Sequence, residues 1–357
     1  MKRLSDVVSL QRGFDLPFHA RRAGPFPVLT SGESAGFHDE GPIKGPGVVV
    51  GRATNLGRPK WSDGDFWPHN TTMYVKDFKG NVPRWVFHLF EVTDLAGYDS
   101  GSVQPMLNRN YISAVPVIVP PQPMQRAIAE VLGSLDDKIA ANTALARTAD
   151  DLASASFKAI SRDAHPRPLS DVAEFINGKA FTKDASGTGR VVIRIAELNS
   201  GIGSSTVRND IVVSDDYLAR PGDLLFAWSG SLTLHRWYRP EAIVNQHIFK
   251  VVPMDGFPLW LVKQLLAAKL DDFKAIAANK ATTMGHIQRR HLDELVSVPD
   301  SRLVNDYDAR MTGLWNTALS AEQENLKLAE TRDALLPALM SGRLRVKDAE
   351  AVAESVL

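Results

Sequence analysis

Two sets of loops concentrate residue types that could grip phosphates and read base edges. In the first half of the chain, Arg52, Thr54, Asn55, Arg58 and Lys60 lie in or beside one glycine-bearing turn, Gly51-Arg52-Ala53-Thr54-Asn55-Leu56-Gly57-Arg58. His69, Asn70, Thr71 and Thr72 follow an aromatic turn, Phe66-Trp67-Pro68, and Arg21, Arg22 and Arg109 add cations. In the second half the candidates are Lys179, Ser229, Ser231, Arg236, Asn245, Gln246 and His247, then Thr282, Thr283, Gln288, Arg289 and Arg290. Cations hold phosphate oxygens without regard to sequence, whereas guanidinium forks, amides and hydroxyls read base edges. Each of these residues taken singly also reads as a solvated loop residue, so the clusters carry the expectation. Asn245-Gln246-His247 has a second reading as an internal network, because the apolar pair Ile248-Phe249 follows it. The tryptophans read as core, with Trp228 and Trp237 as the candidates for base stacking because they flank the second polar turn.

The same residues do not assemble an enzyme. There is no G-x-x-x-x-G-K-S/T loop, and Gly45-Pro46-Gly47 precedes a strand-like run where a dinucleotide site would open a helix. No H-E-x-x-H is present, and His38-Asp39-Glu40 reads as a solvated turn; neither metal nor cofactor is expected. The Asn/Asp-Pro-Pro-aromatic run of amino methyltransferases is also missing. With no cysteine, disulfides and Cys-ligated metals are excluded. No apolar run approaches a membrane span, and the N-terminus lacks the apolar stretch of a signal peptide, so a cytoplasmic location is expected. Lys plus Arg and Asp plus Glu both number 41, for a net charge of +0. That balance argues against an indiscriminate polyanion binder and leaves room for local basic surfaces.

Two long helical stretches must position these loops. The first runs from Pro120 to about Arg162, with prolines in its opening turn and apolar Ile128, Leu132, Leu135 and Ile139 at steps of 4 and 3. Its seam turns polar at Asn142 and resumes at Leu145, Ala149, Leu152 and Ser156. The second runs from Ser301 to about Met340, with Asp300 or Ser301 as cap, Gly342 beyond its end and Pro337 predicted to bend its last turns. Two such rods satisfy each other as an antiparallel pair. Gly133 reads either as a point of close backbone approach or as a simple weak spot in the first rod.

The two halves repeat. Leu4-Ser5-Asp6-Val7 recurs as Leu169-Ser170-Asp171-Val172, each followed by a glycine, Gly13 and Gly178. Each half then has a β-like run (Val48 to Val50; Asp223 to Trp228), a polar turn and a short helical stretch (Arg84 to Phe90; Leu259 to Phe273). A polar segment follows (Ser102 to Arg109; Thr282 to Arg289), then a strand-like run to proline and a rod. The order is globule, rod, globule, rod.

This arrangement resembles the specificity (S) subunit of type I restriction–modification systems. The resemblance rests on Pro120 to Ile139 and on Leu328-Ala329-Glu330-Thr331-Arg332-Asp333-Ala334-Leu335-Leu336-Pro337-Ala338-Leu339-Met340-Ser341-Gly342. Leu4 to Val7, Leu107-Asn108-Arg109 and Asn245-Gln246-His247 support it. The chain departs from the family pattern at Gln122 to Met124 and at Pro299-Asp300-Ser301. The resemblance implies an α+β protein: two α/β target recognition domains related by internal duplication and a pseudo-two-fold, separated by two long antiparallel helices forming a coiled-coil-like spacer. The expected divisions are recognition domains at 1–120 and 164–300, spacer helices at 121–163 and 301–345, and a tail at 346–357. It further implies a non-catalytic subunit that reads a bipartite target in double-stranded DNA. Its partners would be two methyltransferase (modification) subunits and restriction subunits. A protein-binding scaffold and a DNA-modifying enzyme with an unrecognised site are the alternatives. A helix of roughly 40 residues spans ~60 Å, the order of separation at which two heads read sites one or two turns of duplex (~34 Å each) apart. Shortening the first rod by one heptad is therefore expected to change the gap between half-sites, read by selection from random DNA.

Overall fold

The computed structural model describes residues 1–32, 35–95, 97–100, 106–278 and 285–357. The chain divides into two compact units, Met1–Ile139 with Lys327–Leu357, and Ala140–Leu326.

The first unit is built on an antiparallel sheet of β1 (Ser9–Arg12), β2 (Gly47–Gly51), β3 (Pro59–Ser62) and β4 (Thr72–Asp77), in the order β1-β4-β2-β3. Strand β2 is a continuous valine run because both of its faces are covered. Val48 and Val50 join the main core with helix α1 (Pro83–Val92), while Val49 turns to Phe66 and Tyr74. A smaller sheet places Phe26–Leu29 between Phe37–His38 and Trp67–Pro68, the latter pair parallel.

Helix α2 (Gln122–Ile160) starts directly after Pro120-Pro121, and Met124 and Gln125 both donate to the Pro121 carbonyl. Up to Ile139 it belongs to the first unit. There Ile128, Leu132 and Leu135 are buried with Leu328, Leu335, Leu336 and Leu339 of helix α4 (Ser301–Met340). Residues 346–357, expected as a tail, contain helix α5 (Val346–Glu354), whose Ala349 and Ala353 are buried in this same core. Gly133 is not a close approach: a Cβ there would meet Arg84 at 3.6 Å or more, an ordinary contact. Gly133→Ala is accordingly expected to stabilise the first unit by up to about 1 kcal/mol, read from urea unfolding.

The second unit has the corresponding sheet: β5 (Ala173–Asn177), β6 (Leu224–Ala227), β7 (Thr233–Arg236) and β8 (Ile248–Pro253), in the order β5-β8-β6-β7 and antiparallel throughout. Its smaller sheet pairs Arg190–Ile193 parallel with Ala242–Val244 and adds Arg208–Asn209 and Leu218–Ala219 at the edges. Helix α3 (Leu259–Ala278) packs Trp260, Leu261, Leu265 and Phe273 into the core. Within this unit α2 and α4 lie antiparallel: Asn142 donates to Glu324 (2.7 Å), Asn325 to Thr143 (3.1 Å), and Ala146 and Ala149 cluster with Ala318 and Ala321. The expected seam residues Leu145 and Leu152 are 48% and 41% exposed instead. Ala149 and Ser156 of the expected seam are buried, and Ala146 and Ala153 take the places of the two leucines, their small side chains suiting a tight helix–helix contact.

The duplication is exact in hydrogen bonding. Gly13 donates to the Thr72 carbonyl and Gly178 to that of Ile248, both at 3.0 Å. His69 donates to Leu29 and Asn245 to Ile193. Phe14 bridges His69, and Lys179 bridges Asn245. These pairs fix the correspondence residue by residue: 69–72 of one unit match 245–248 of the other.

Candidate nucleic-acid interface

In the first unit the ends of β1, β2 and β4 and the segment Met106–Arg109 enclose a cleft of about 790 Å³. Arg12, Arg52, Asn70, Asn108 and Arg109 line it, with Asp15. Arg52 leaves the end of β2, its N–H donating to the Thr71 carbonyl and its carbonyl accepting from Leu107. Arg52 is half-buried, and its pKa is lowered, first by burial and then by the charge of Arg12. None of the side chains of Arg12, Arg52 and Arg109 has a hydrogen-bond or ion-pair partner among the described residues. By contrast, Arg84, Arg194, Arg220, Arg332 and Arg345 each meet a carboxylate. Asn70 is oriented by Asp15, to which its amide donates at 2.6 Å. His69 is held neutral at pH 7, since burial and then the Arg21 charge lower its pKa, and its Nδ1 meets the Thr71 hydroxyl at 3.1 Å.

The remaining candidates of this unit are dispersed. Thr54 and Asn55 anchor the Gly51–Arg58 turn, through the Ser31 hydroxyl (2.8 Å) and carbonyl (3.0 Å), with Asn55 at φ 48°. Lys60 donates to the Gly32 carbonyl. Arg58 is exposed on a separate cleft with Glu91, Asp94 and Arg332. Arg21 donates to the Ala35 carbonyl and packs over Phe18, while Arg22 is bound to Asp39 and Glu40.

The second unit has a cleft of about 340 Å³ lined by Asn177, Trp228, Phe249, His286, Ile287, Gln288 and Arg289. Each of these has its counterpart in the first cleft. Asn177 pairs with Phe249 as Arg12 pairs with Met73. Trp228 follows Ala227, which faces Ile248, as Arg52 follows Gly51, which faces Thr72. Ile287 donates to the Trp228 carbonyl as Leu107 donates to that of Arg52. It follows that His286, Gln288 and Arg289 match Met106, Asn108 and Arg109. The clefts are one site in two copies. Arg12 and Asn177 went unseen in the sequence, although each directly precedes the repeated glycine, so aligning the halves there would have exposed both.

Around the second cleft, Gln246 is exposed and His247, at φ 73°, stands 5.1 Å from the Trp228 ring. Ser229 is buried beside His286, to which it is bridged, and Ser231 is exposed. Arg290 is exposed, and Lys179 lies over the Tyr217 ring at 4.6 Å. Asn245 is buried and accepts from the Phe181 N–H, the internal-network reading. Arg236 is not at the cleft: it is 5% exposed, ion-paired to Asp150 and Glu322 of α2 and α4, and stacked over Trp315 at 4.6 Å. It sits on the edge strand facing the helices, which makes it a clamp and removes it from solvent. Trp237 is buried, donating to the Pro240 carbonyl, and is core, whereas Trp228 is half-buried at the cleft. Thr282 and Thr283 lie outside the described residues. Among the described residues, no group of three or more His, Asp or Glu side chains could hold a metal ion, and no helix is long and apolar enough to cross a membrane.

Residues 1–148 match the family model of the type I restriction modification DNA specificity domain. The crystal structure of the type I restriction–modification S subunit from M. genitalium superposes with a TM-score of 0.61 over 95% of both chains at 14% identity. The HsdS subunit from Thermoanaerobacter tengcongensis aligns over 85% of this chain and 82% of its own, at 14% identity and a TM-score of 0.33. A structure from a study of type I R-M complex assembly aligns over 96% and 97%, at 14% and 0.34. Comparison with curated proteins returned no match. Residues 1–148 thus resemble a DNA specificity domain, and the whole chain shares the fold of the M. genitalium S subunit.

Proposed function

We propose that the chain reads a bipartite sequence in double-stranded DNA, one half-site at each copy of the duplicated cleft. Residues 1–120 and 164–300 act as the target recognition domains. Residues 121–163 and 301–345 act as spacer helices that set the gap and dock two methyltransferase subunits, with restriction subunits joining the same cytoplasmic complex. The chain itself is non-catalytic. The observation that carries this reading is the first cleft: three arginines without acceptors among the described residues line it beside an oriented amide, an arrangement suited to phosphates and a base edge. Assembly with methyltransferase subunits, followed by methylation mapping on random DNA, should yield one bipartite motif. Methylation without sequence preference would refute the reading, as would methyl transfer by the purified chain alone.

Arg109 and Arg289 occupy the same position in both copies and are exposed at the cleft rims. Arg109→Gln and Arg289→Gln are expected to weaken binding to all sequences alike, each lowering the log–log salt slope by about 1, measured by titration over a range of salt concentrations.

A further inference from the structure

The two clefts share their scaffold but differ where it matters for base choice. The rim cation is constant, Arg109 in one and Arg289 in the other, and so are the neighbouring amide, Asn108 or Gln288, and the apolar floor, Leu107 or Ile287. What changes is the pair at the strand ends: Arg12 and Arg52 in the first unit become Asn177 and Trp228 in the second. Resting on the specificity function above, we propose that this pair sets the base each unit accepts. Arg52, supported by Arg12, reads a guanine in one half-site, and Trp228 with Asn177 reads the thymine of an A·T pair in the other.

In the first cleft Arg52 emerges from the β2 end with its backbone tied on both sides, to Thr71 and Leu107. Arg52 is half-buried, while Arg12 and Arg109 are exposed. The least exposed of the three arginines suits a base edge, with the other two left for phosphates. The exposed Asp15 carboxylate also lines the cleft and disfavours a phosphate beside it. Guanine offers O6 and N7 side by side, the two acceptors that a guanidinium fork spans.

In the second cleft the indole of Trp228 is fixed from two directions. Its Nε1 donates to Asn177 Oδ1 at 2.8 Å, and its ring stacks on Phe249 at 5.7 Å with an interplanar angle of 30°. The result is a rigid apolar wall in place of a cation. Among base edges in the major groove, only thymine presents an apolar group, its C5-methyl. Asn177, with Oδ1 engaged by the indole, keeps its amide N–H groups for an acceptor such as thymine O4 or adenine N7.

The test uses the full chain assembled with its methyltransferase subunits and duplexes carrying the site mapped from random DNA. Arg52→Gln and Arg52→Lys are each expected to erase the preference at one G·C pair, about 5- to 150-fold in the parent complex, leaving the other half-site and the salt slope unchanged. The lysine variant keeps the charge and loses only the fork. Replacing thymine by deoxyuridine in the other half-site should weaken the parent complex about fourfold at one position and have no effect on Trp228→Leu. Uniform weakening of all sequences by Arg52→Gln, with a shallower salt slope, would make Arg52 a phosphate contact and overturn the guanine assignment. Silence of every deoxyuridine substitution would overturn the thymine assignment. A parent complex without any sequence preference would instead refute the specificity function itself.

Discussion

Replacing Asp136 with alanine is expected to cost the first unit about 3 kcal/mol, an effect at the lower end of those seen when one partner of a buried ion pair is removed. Asp136 lies on α2 and is 14% exposed at its side chain. It accepts from Arg332 at 2.9 Å and from Arg84 at 3.5 Å, and the wholly buried His88 ring stands 3.8 Å away. Burial lowers the pKa of Arg332, but hydrogen bonds to Asp136 and Asp333 outweigh it and hold the guanidinium above its ordinary value. Arg84 is further pinned against the Trp61 ring, 4.9 Å away. Without the carboxylate, two guanidinium groups face each other where water is scarce. Asp137 and Asp333 remain as partners but are 70% and 64% exposed, so they compensate only in part. Urea unfolding should show the transition of the first unit moving down by about 1–3 M. A change below about 1 kcal/mol would mean that both arginines reach solvent.

Gly13→Ala and Gly178→Ala should each disable one half of DNA recognition and spare the other. A Cβ on Gly13 would stand 2.2 Å from the His69 carbonyl oxygen, and one on Gly178 2.2 Å from that of Asn245. Both obstacles are backbone, so the turn itself has to move, at a cost of about 1–3 kcal/mol or more. That turn carries Asn70 to the first cleft and sets His247 beside Trp228 at the second. In methylation mapping, Gly13→Ala is expected to blur one half-site of the motif and Gly178→Ala the other. A motif left intact in both halves by either variant would detach the turn from recognition.

These glycines show what could be read from residue order alone. Their recurrence after Leu4 to Val7 and Leu169 to Val172 marks the duplication, and helical periodicity marks Ile128, Leu132 and Leu135 as buried. The reason for the glycines, a carbonyl arriving from a distant strand, has no trace in the local sequence. Leu145 and Leu152 follow the expected spacing yet face solvent, because a seam of alanines admits a closer partner helix and the neighbouring Ala146 and Ala153 are buried in their place. Arg236 has the composition of a DNA contact and the position of a clamp. Asp150 and Glu322, each 86 residues away along the chain, converge on it only through packing. The cleft at Arg52 was visible as a polar turn, but its companion Arg12 belongs to a strand that sequence alone does not place beside it.

The first unit is assembled from two separated pieces of chain, with Leu328, Leu335, Leu339, Ala349 and Ala353 completing the core begun by Met1–Ile139. Ala140–Leu326 is continuous. During synthesis the interior segment has all its contacts in hand before the ribosome reaches Lys327, while the leading segment waits with Ile128, Leu132 and Leu135 uncovered. A truncated product ending ahead of Lys327 would therefore betray itself through its N-terminal portion, aggregating or drawing chaperones there, while its middle portion resists protease. Quality control of this protein is thereby written into its topology: a segment made late certifies one made early.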